Sequence, residues 1–246
     1  MILKKIAKYF LHRVLHKKGD KNQNAHYFDF FDGLLHQLMK IQTNITFLQL
    51  GGNDGKRYDP IYKFVVKYHN NINGVILEPV KDYYIDLERN YKNFSNIITV
   101  NKAIHNSLKE TTIFKLDKSK EHLAPEFAKG IASFDPNHHK KTNVDSKLIK
   151  PEIVKCEKLS SIIKDYKIEN IDVLVIDTEG YDYHIIMDID FNLIQPKIIH
   201  FEHGLKSNTM TLNQYDEVFK MLNKMEYQIF SDSCNSTAFK NNLFLK

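Results

Sequence analysis

Cysteine, glycine and arginine are scarce in this chain, and no apolar run is long. Cys156 and Cys234 are the two cysteines. They are too few for a disulfide framework and lack the paired spacing of a zinc site, so a reducing compartment is expected. No apolar stretch approaches the roughly 20 residues of a membrane-spanning helix. Lys8, His12 and Arg13 interrupt any apolar core near the N-terminus, so that region does not read as a secretory leader. Arginine supplies only 3 of the 35 basic side chains, and Asn and Ile are frequent. This composition reads as the product of an AT-rich bacterial genome.

Charge is unevenly placed. The formal net charge is +5, yet residues 1–18 hold six basic side chains and no acid, which leaves the other 228 residues at −1. A nucleic-acid binder would carry its cations across a folded face, so no nucleic-acid partner is expected. In the N-terminal arm Leu3, Ile6, Phe10 and Val14 share one helical face. A basic amphipathic helix of this kind suits an anionic membrane surface, and equally a helix packed on the domain or on a partner subunit. The expected location is the cytoplasm, with contact at the inner face of the cytoplasmic membrane through residues 1–18.

Glycine's scarcity makes its clustering informative. Three of nine glycines fall within Gly51-Gly52-Asn53-Asp54-Gly55, directly after the apolar run Ile45–Leu50. A strand, a glycine turn and then a helix build a ligand pocket at a strand's carboxyl end. Apolar runs and periodic segments continue in alternation. A helix is expected at Ala25–Met39 and another from Asp59-Pro60 to about His69. Strands are expected at Gly74–Glu78, Ile97–Val100, Thr111–Leu116, Pro151–Cys156, Ile171–Asp177 and Lys197–Glu202. Helices are expected at Asp82–Tyr91, Ser160–Tyr166, Tyr183–Ile189 and Thr211–Met225, with a closing antiparallel pair at Tyr227–Phe230 and Ser236–Phe239. This alternation predicts an α/β fold, a mostly parallel sheet with helices on both faces. Residues 1–40 read as an N-terminal helical extension and 41–246 as one domain. Within it, 117–150 has no strong period and reads as a candidate substrate lid.

Three strand ends carry polar residues that the topology gathers on one edge: Gly51–Gly55, Glu78-Pro79 and Asp177-Thr178-Glu179-Gly180. An acid after the second strand, as at Glu78, is placed to accept hydrogen bonds from a ribose. The turn lacks the G-x-G-x-x-G spacing of dinucleotide sites, and Asp54 would repel a phosphate. A cofactor without phosphates, S-adenosylmethionine, fits better.

In this order Phe47-Leu48-Gln49-Leu50-Gly51-Gly52-Asn53-Asp54-Gly55, Asp59-Pro60-Ile61, Leu77-Glu78-Pro79, Ala103-Ile104, Ala132-Ser133-Phe134, Ile176-Asp177-Thr178-Glu179-Gly180-Tyr181-Asp182 and Phe201-Glu202-His203 resemble the FkbM family of S-adenosylmethionine-dependent methyltransferases. The likeness covers about residues 45–230. It implies a class I, Rossmann-like methyltransferase fold with a cofactor site at Gly51, Gly52, Asn53, Asp54, Gly55, Glu78, Pro79, Ala103 and Asp177. Many family members carry Asp at the position of Gln49 and Ala at that of Gly52. Family members methylate hydroxyls, often on sugars or polyketides, which implies an O-methyltransferase acting on a surface glycan or its nucleotide-linked precursor. N-methylation of an amide or phosphoramidate, and a non-catalytic membrane-associated binding protein, are the alternatives.

A hydroxyl acceptor profits from a base. The candidates are His203, Asp177, Glu179 and Glu202, with His203 favoured for its near-neutral pKa. Asp59, Ser133, His138 and Asp182 are expected on the substrate side. The run His138-His139-Lys140-Lys141 is a basic cluster suited to a substrate phosphate. No spacing resembles a dedicated metal site, so no metal is expected.

Overall fold

A computed structural model describes residues 29–57 and 59–244. The arm of residues 1–18, and residues 25–28 of the helix expected at 25–39, lie outside them. The first described helix, α1 (Phe30–Ile41), starts where the Asp29 carboxylate accepts the backbone N–H of Asp32 at 3.1 Å. Such a cap satisfies one of the orphan donors of the first turn. Phe31, Leu34, Leu35 and Leu38 fall on one face and are buried.

The central sheet is built from β1 (Ile45–Leu50), β2 (Ile72–Leu77), β3 (Ile97–Val100), β8 (Val173–Ile176), β9 (Ile198–Glu202), β10 (Tyr227–Ser231) and β11 (Asn235–Lys240). Its order is β10-β11-β9-β8-β1-β2-β3. From β9 to β3 all neighbours are parallel, and β11 runs antiparallel between β9 and β10. Alternate residues of each strand face opposite helical layers. Phe47, Ile76 and Val175 pack with α1, α2 (Tyr62–Tyr68) and α3 (Lys81–Tyr91). Leu48, Leu77 and Ile176 pack with α5 (Leu159–Asp165), α6 (Asp182–Met187) and α7 (Leu212–Lys224). Burial on both faces explains why these strands read as nearly unbroken apolar runs. Helix α7 is held at its start by a reciprocal capping box between Thr211 and Gln214.

A second sheet stands over the carboxyl edge of the first, in the order β4-β7-β5-β6. It joins β4 (Ala103–Ile104), β5 (Glu110–Leu116), β6 (Ala132–Ser133) and β7 (Ile149–Glu157). The segment 117–150, which has no strong period in the sequence, is folded against this second sheet. It carries β6, the single-turn helix α4 (His138–Lys141) and several 3₁₀ turns. Leu116, Ala124, Ala128, Ile131 and Val144 give it a small core of its own. Turns this short have no period that a sequence window could detect. Among the described residues, no helix is long and apolar enough to cross a membrane.

Candidate active site

Strand order reverses between β1 and β8: from β1 the chain goes on to β2 and β3 on one side, and returns through β8 and β9 on the other. Loops after such a pair diverge and leave a crevice at the strands' carboxyl ends. Gly51 occupies it with φ +88°, and a Cβ there would lie 1.7 Å from the Asp177 carbonyl oxygen. Only glycine permits this approach of the two loops. The N–H groups of Gly51 and Gly52 both donate to the Leu77 carbonyl, at 3.0 and 2.9 Å, which ties the turn to the end of β2.

Glu78 follows β2 and is 4% exposed. Its Oε2 accepts the Asn53 N–H at 2.8 Å, and its Oε1 accepts the Val80 N–H at 2.8 Å. Burial pushes its pKa up to about 7, against the lowering effect of these hydrogen bonds and of Lys115. Each carboxylate oxygen keeps a lone pair for a further donor.

A cavity of about 640 Å³, counting its mouth, opens here. Of the expected cofactor positions, Gly51, Asn53, Glu78, Pro79, Ala103 and Asp177 line it. Gly52, Asp54 and Gly55 shape the turn from behind. A Cβ on Gly52 would meet Ile76 at 2.4 Å, and Asp54 Oδ1 accepts the N–H groups of Lys56 and Arg57. Gly130 and Phe134 of the overlying segment complete the lining. Gly130 carries no signature in the sequence. Its φ of +106°, and a Cβ that would fall 1.9 Å from Asn53 Nδ2, explain the residue. Asn53 Nδ2 donates to its carbonyl at 3.2 Å and so joins roof to glycine turn.

The other end of the crevice is acidic. Ile176 pairs in register with Phe201, so Asp177 and Glu202 are the next residues side by side. Asp177 opens to the cavity and is exposed there, with other acids close by. Burial, then Glu179, Asp182, Asp59 and Glu78, holds its carboxyl well above the usual range. Glu202 is raised by burial and by Glu179, Asp177 and Asp182, and its Oε2 has no hydrogen-bond partner. Glu179 lines the cavity in a left-handed conformation, φ +53°, unusual for a side-chain-bearing residue. Two residues from the roof converge on it. Ser133 Oγ donates to the Glu179 carbonyl at 2.6 Å, and His138 Nε2 stands 2.9 Å from Glu179 Oε2.

The substrate-side candidates divide. Ser133 and His138 meet at Glu179 without lining the cavity. Asp182 is 1% exposed, and its Oδ2 accepts from the Thr178 N–H and hydroxyl; burial raises its pKa to about 6. Asp59 starts α2, its Oδ1 accepting the N–H groups of Ile61 and Tyr62 at 2.8 Å. Its Oδ2 accepts from Gln49 at 3.2 Å, and burial raises its pKa to about 6. Asp59 is therefore a structural group under the glycine turn. The helix begins at Tyr62 rather than at Asp59 because those two N–H groups are its first donors.

His203 departs from its expected place. The chain turns away at Gly204, and the N–H groups of both residues donate to the Cys234 carbonyl. The ring is 3% exposed, accepts the Leu205 N–H at Nδ1 and lies edge-on to Tyr215, outside the cavity lining. Burial lowers its pKa. The basic run 138–141 also fails to form one surface. His138 points inward to Glu179, and Lys141 pairs with Asp135 at 3.0 Å. Among the described residues, no three His, Cys, Asp or Glu side chains are grouped to hold a metal ion.

The seven-strand order with its antiparallel β11, the glycine turn after β1 and the acid after β2 define a class I, Rossmann-like methyltransferase fold. The Methyltransferase FkbM domain matches residues 49–229, and the chain belongs to that family of S-adenosylmethionine-dependent enzymes. Similar solved structures include an O-methyltransferase from Bacillus cereus in complex with SAH, at 13% identity over 94% of this chain and 91% of that one, with TM-score 0.46. A precorrin-6y C5,15-methyltransferase from Geobacter metallireducens matches at 12% identity over 90% and 95%, with TM-score 0.42. A methyltransferase from Geobacter sulfurreducens matches at 8% identity over 95% and 87%, with TM-score 0.43. A search of curated proteins returns no match.

The cavity residues fit the cofactor. Gly51, Asn53 and Glu78 line the cavity together, and each Glu78 oxygen, with one N–H already accepted, keeps a lone pair for a ribose hydroxyl.

Proposed function

We propose that the protein transfers a methyl group from S-adenosylmethionine to a hydroxyl of a glycan sugar. Gly51, Asn53, Glu78, Pro79 and Ala103 hold the cofactor, and Asp177 stands between it and the acceptor. The observation that carries this reading is the pair Asp177 and Glu202, the next residues after the paired Ile176 and Phe201, with Asp177 lining the cavity. When bound, S-adenosylmethionine supplies an electrophilic methyl group on a cationic sulfur. Asp177 or Glu202 takes the acceptor's hydroxyl proton onto a carboxylate oxygen. Their raised pKa values make them stronger bases than ordinary carboxylates, while positive charge in the cavity draws them toward the ionised form the step requires. Gly130 and Phe134 of the overlying segment line the cavity opposite the glycine turn. Ser133 and His138 fix Glu179 at its edge.

A methyl-transfer assay over a panel of sugar acceptors tests the reading. Asp177→Asn and Glu202→Gln should each lower kcat by about 10²-fold or more, the share typical of a general base. S-adenosylhomocysteine affinity of Glu202→Gln should stay within about threefold of the parent. Undiminished turnover in both variants would refute the assignment.

A further inference from the structure

The second sheet carries a fully buried lysine, Lys115 on β5. Ile113 of the same strand lines the cavity and packs with Val80 and Tyr83. Lys115, two residues on, faces the same side of the sheet. Glu152 on β7 pairs directly with Ile113 and shares that face. The face meets the start of α3. There Lys115 Nζ pairs with Asp82 Oδ2 at 2.6 Å and with Glu152 Oε2 at 2.9 Å, and lies 5.5 Å from the centre of the Tyr83 ring. Glu152 Oε1 accepts the Lys81 N–H at 3.0 Å. The preceding N–H, that of Val80, is the one that holds Glu78 Oε1. Lysine, carboxylate partners and Glu78 thus gather around the first residues of α3.

A buried ion pair contributes little net stability over apolar packing, so stability alone does not account for an ammonium sealed here. Burial works against its charge, but hydrogen bonds to Asp82 and Glu152 leave its pKa raised, and it stays cationic at neutral pH. Burial raises the Glu78 pKa most; Lys115 from β5 lowers it and Glu152 from β7 raises it. Tyr83, on α3, is held neutral by burial and then by Glu78. Asp177, across the crevice, is itself pushed up, with Glu78 among the causes. Of these groups Lys115 alone is a cation.

Resting on the reading of Glu78 as the acceptor of the ribose hydroxyls, we infer that Lys115 is a positioning residue for the cofactor, its buried ammonium keeping Glu78 ionised and fixing the start of α3 against the second sheet. Lys115 does not touch the cofactor. It acts through Glu78, and its effect is therefore confined to the pH range in which Glu78 titrates.

Titration calorimetry of the full chain with S-adenosylhomocysteine at pH 6, 7 and 8.5 tests this in Lys115→Met, which keeps the apolar stem and removes the charge. Loss of the opposite charge should move the Glu78 midpoint up by about one pH unit. Affinity should then fall about ninefold at pH 6 but less than about 1.5-fold at pH 8.5, where Glu78 is largely ionised in both proteins. A lysine that only supported the fold would weaken binding equally at each pH, and that result overturns the inference. Glu152→Gln removes the opposing charge and should act the other way, tightening binding at pH 6 by about two- to threefold. Unchanged or weaker binding there also overturns the inference. Glu152→Gln carries the test alone should circular dichroism show Lys115→Met unfolded. Parent affinity that does not fall between pH 8.5 and pH 6 overturns the reading of Glu78 along with the inference, whereas a normal parent profile beside a pH-independent loss in Lys115→Met overturns the inference alone.

Discussion

Glu78 makes cofactor binding depend on pH, in a window set by its burial. Its pKa rises from 4.5 to about 7 in the folded chain. Between those values the folded state holds more protons than the unfolded one. Stability from this group is therefore present at low pH and is lost as pH rises through about 7. Binding runs the other way, because ribose hydroxyls donate best to an ionised carboxylate. If the proton must leave before binding, the apparent Kd is multiplied by 1 + 10^(pKa−pH). That factor is about 1.1 at pH 8 and about 11 at pH 6. Titration calorimetry with S-adenosylhomocysteine from pH 5.5 to 8.5 measures it. Glu78→Gln keeps one acceptor oxygen but sets an amide NH₂ against the N–H of Asn53 or Val80. Losing charge-assisted bonds of about 1.5–3 kcal/mol should weaken binding by about 10- to 100-fold. Asp59 and Asp182, with pKa values of about 6, titrate in both proteins, so the difference between the two profiles isolates Glu78. Superposable profiles would refute this account of Glu78 outright.

Gly51→Ala should abolish S-adenosylhomocysteine binding and lower the urea midpoint, since it adds a left-handed backbone penalty of about 1–2 kcal/mol to a 1.7 Å clash with Asp177. Thr211→Ala removes the capping box of α7 and should cost about 1 kcal/mol in urea denaturation, with cofactor affinity unchanged. Phe47→Ala, at a fully buried position of β1, should cost about 3–5 kcal/mol in the same assay. Asp177→Asn should raise Tm at neutral pH, because Glu179, Asp182, Asp59 and Glu78 repel the charge it removes, while turnover falls; a lowered Tm would contradict that repulsion.

What was legible in the sequence follows the range of each signal. β1 was readable as Ile45–Leu50 because a two-sided buried strand announces itself within six residues, and the edge strand β3 as Ile97–Val100 from its short β-branched run. The buried-type run from Ile171 shortens to Val173–Ile176; Asp172, just before it, still bonds Thr46 and Ile198 through its backbone, while its carboxylate accepts the Thr46 N–H and pairs with Lys197. β4 and β6, two residues each, have no period at all. Their existence depends on β7 and β5, which reach them across long stretches of chain.

The candidate site divides along the same line. Gly51 and Glu78 could be marked because each sits directly after an apolar run, where a local pattern and a strand end coincide. His203 has the same local setting as Glu202, one residue away, yet its ring ends under Tyr215 rather than in the crevice. The difference is made by Cys234, whose carbonyl takes the His203 and Gly204 N–H groups and turns the chain. No local window contains that contact. Gly130 and His138 belong to the site for an equally remote reason, since Asn53 and Glu179 are their partners. Pairing of Asp177 with Glu202 needs the β8–β9 register, which two apolar runs alone do not fix. Strand ends locate a crevice from sequence, but which side chains enter it is decided by contacts made from elsewhere in the chain.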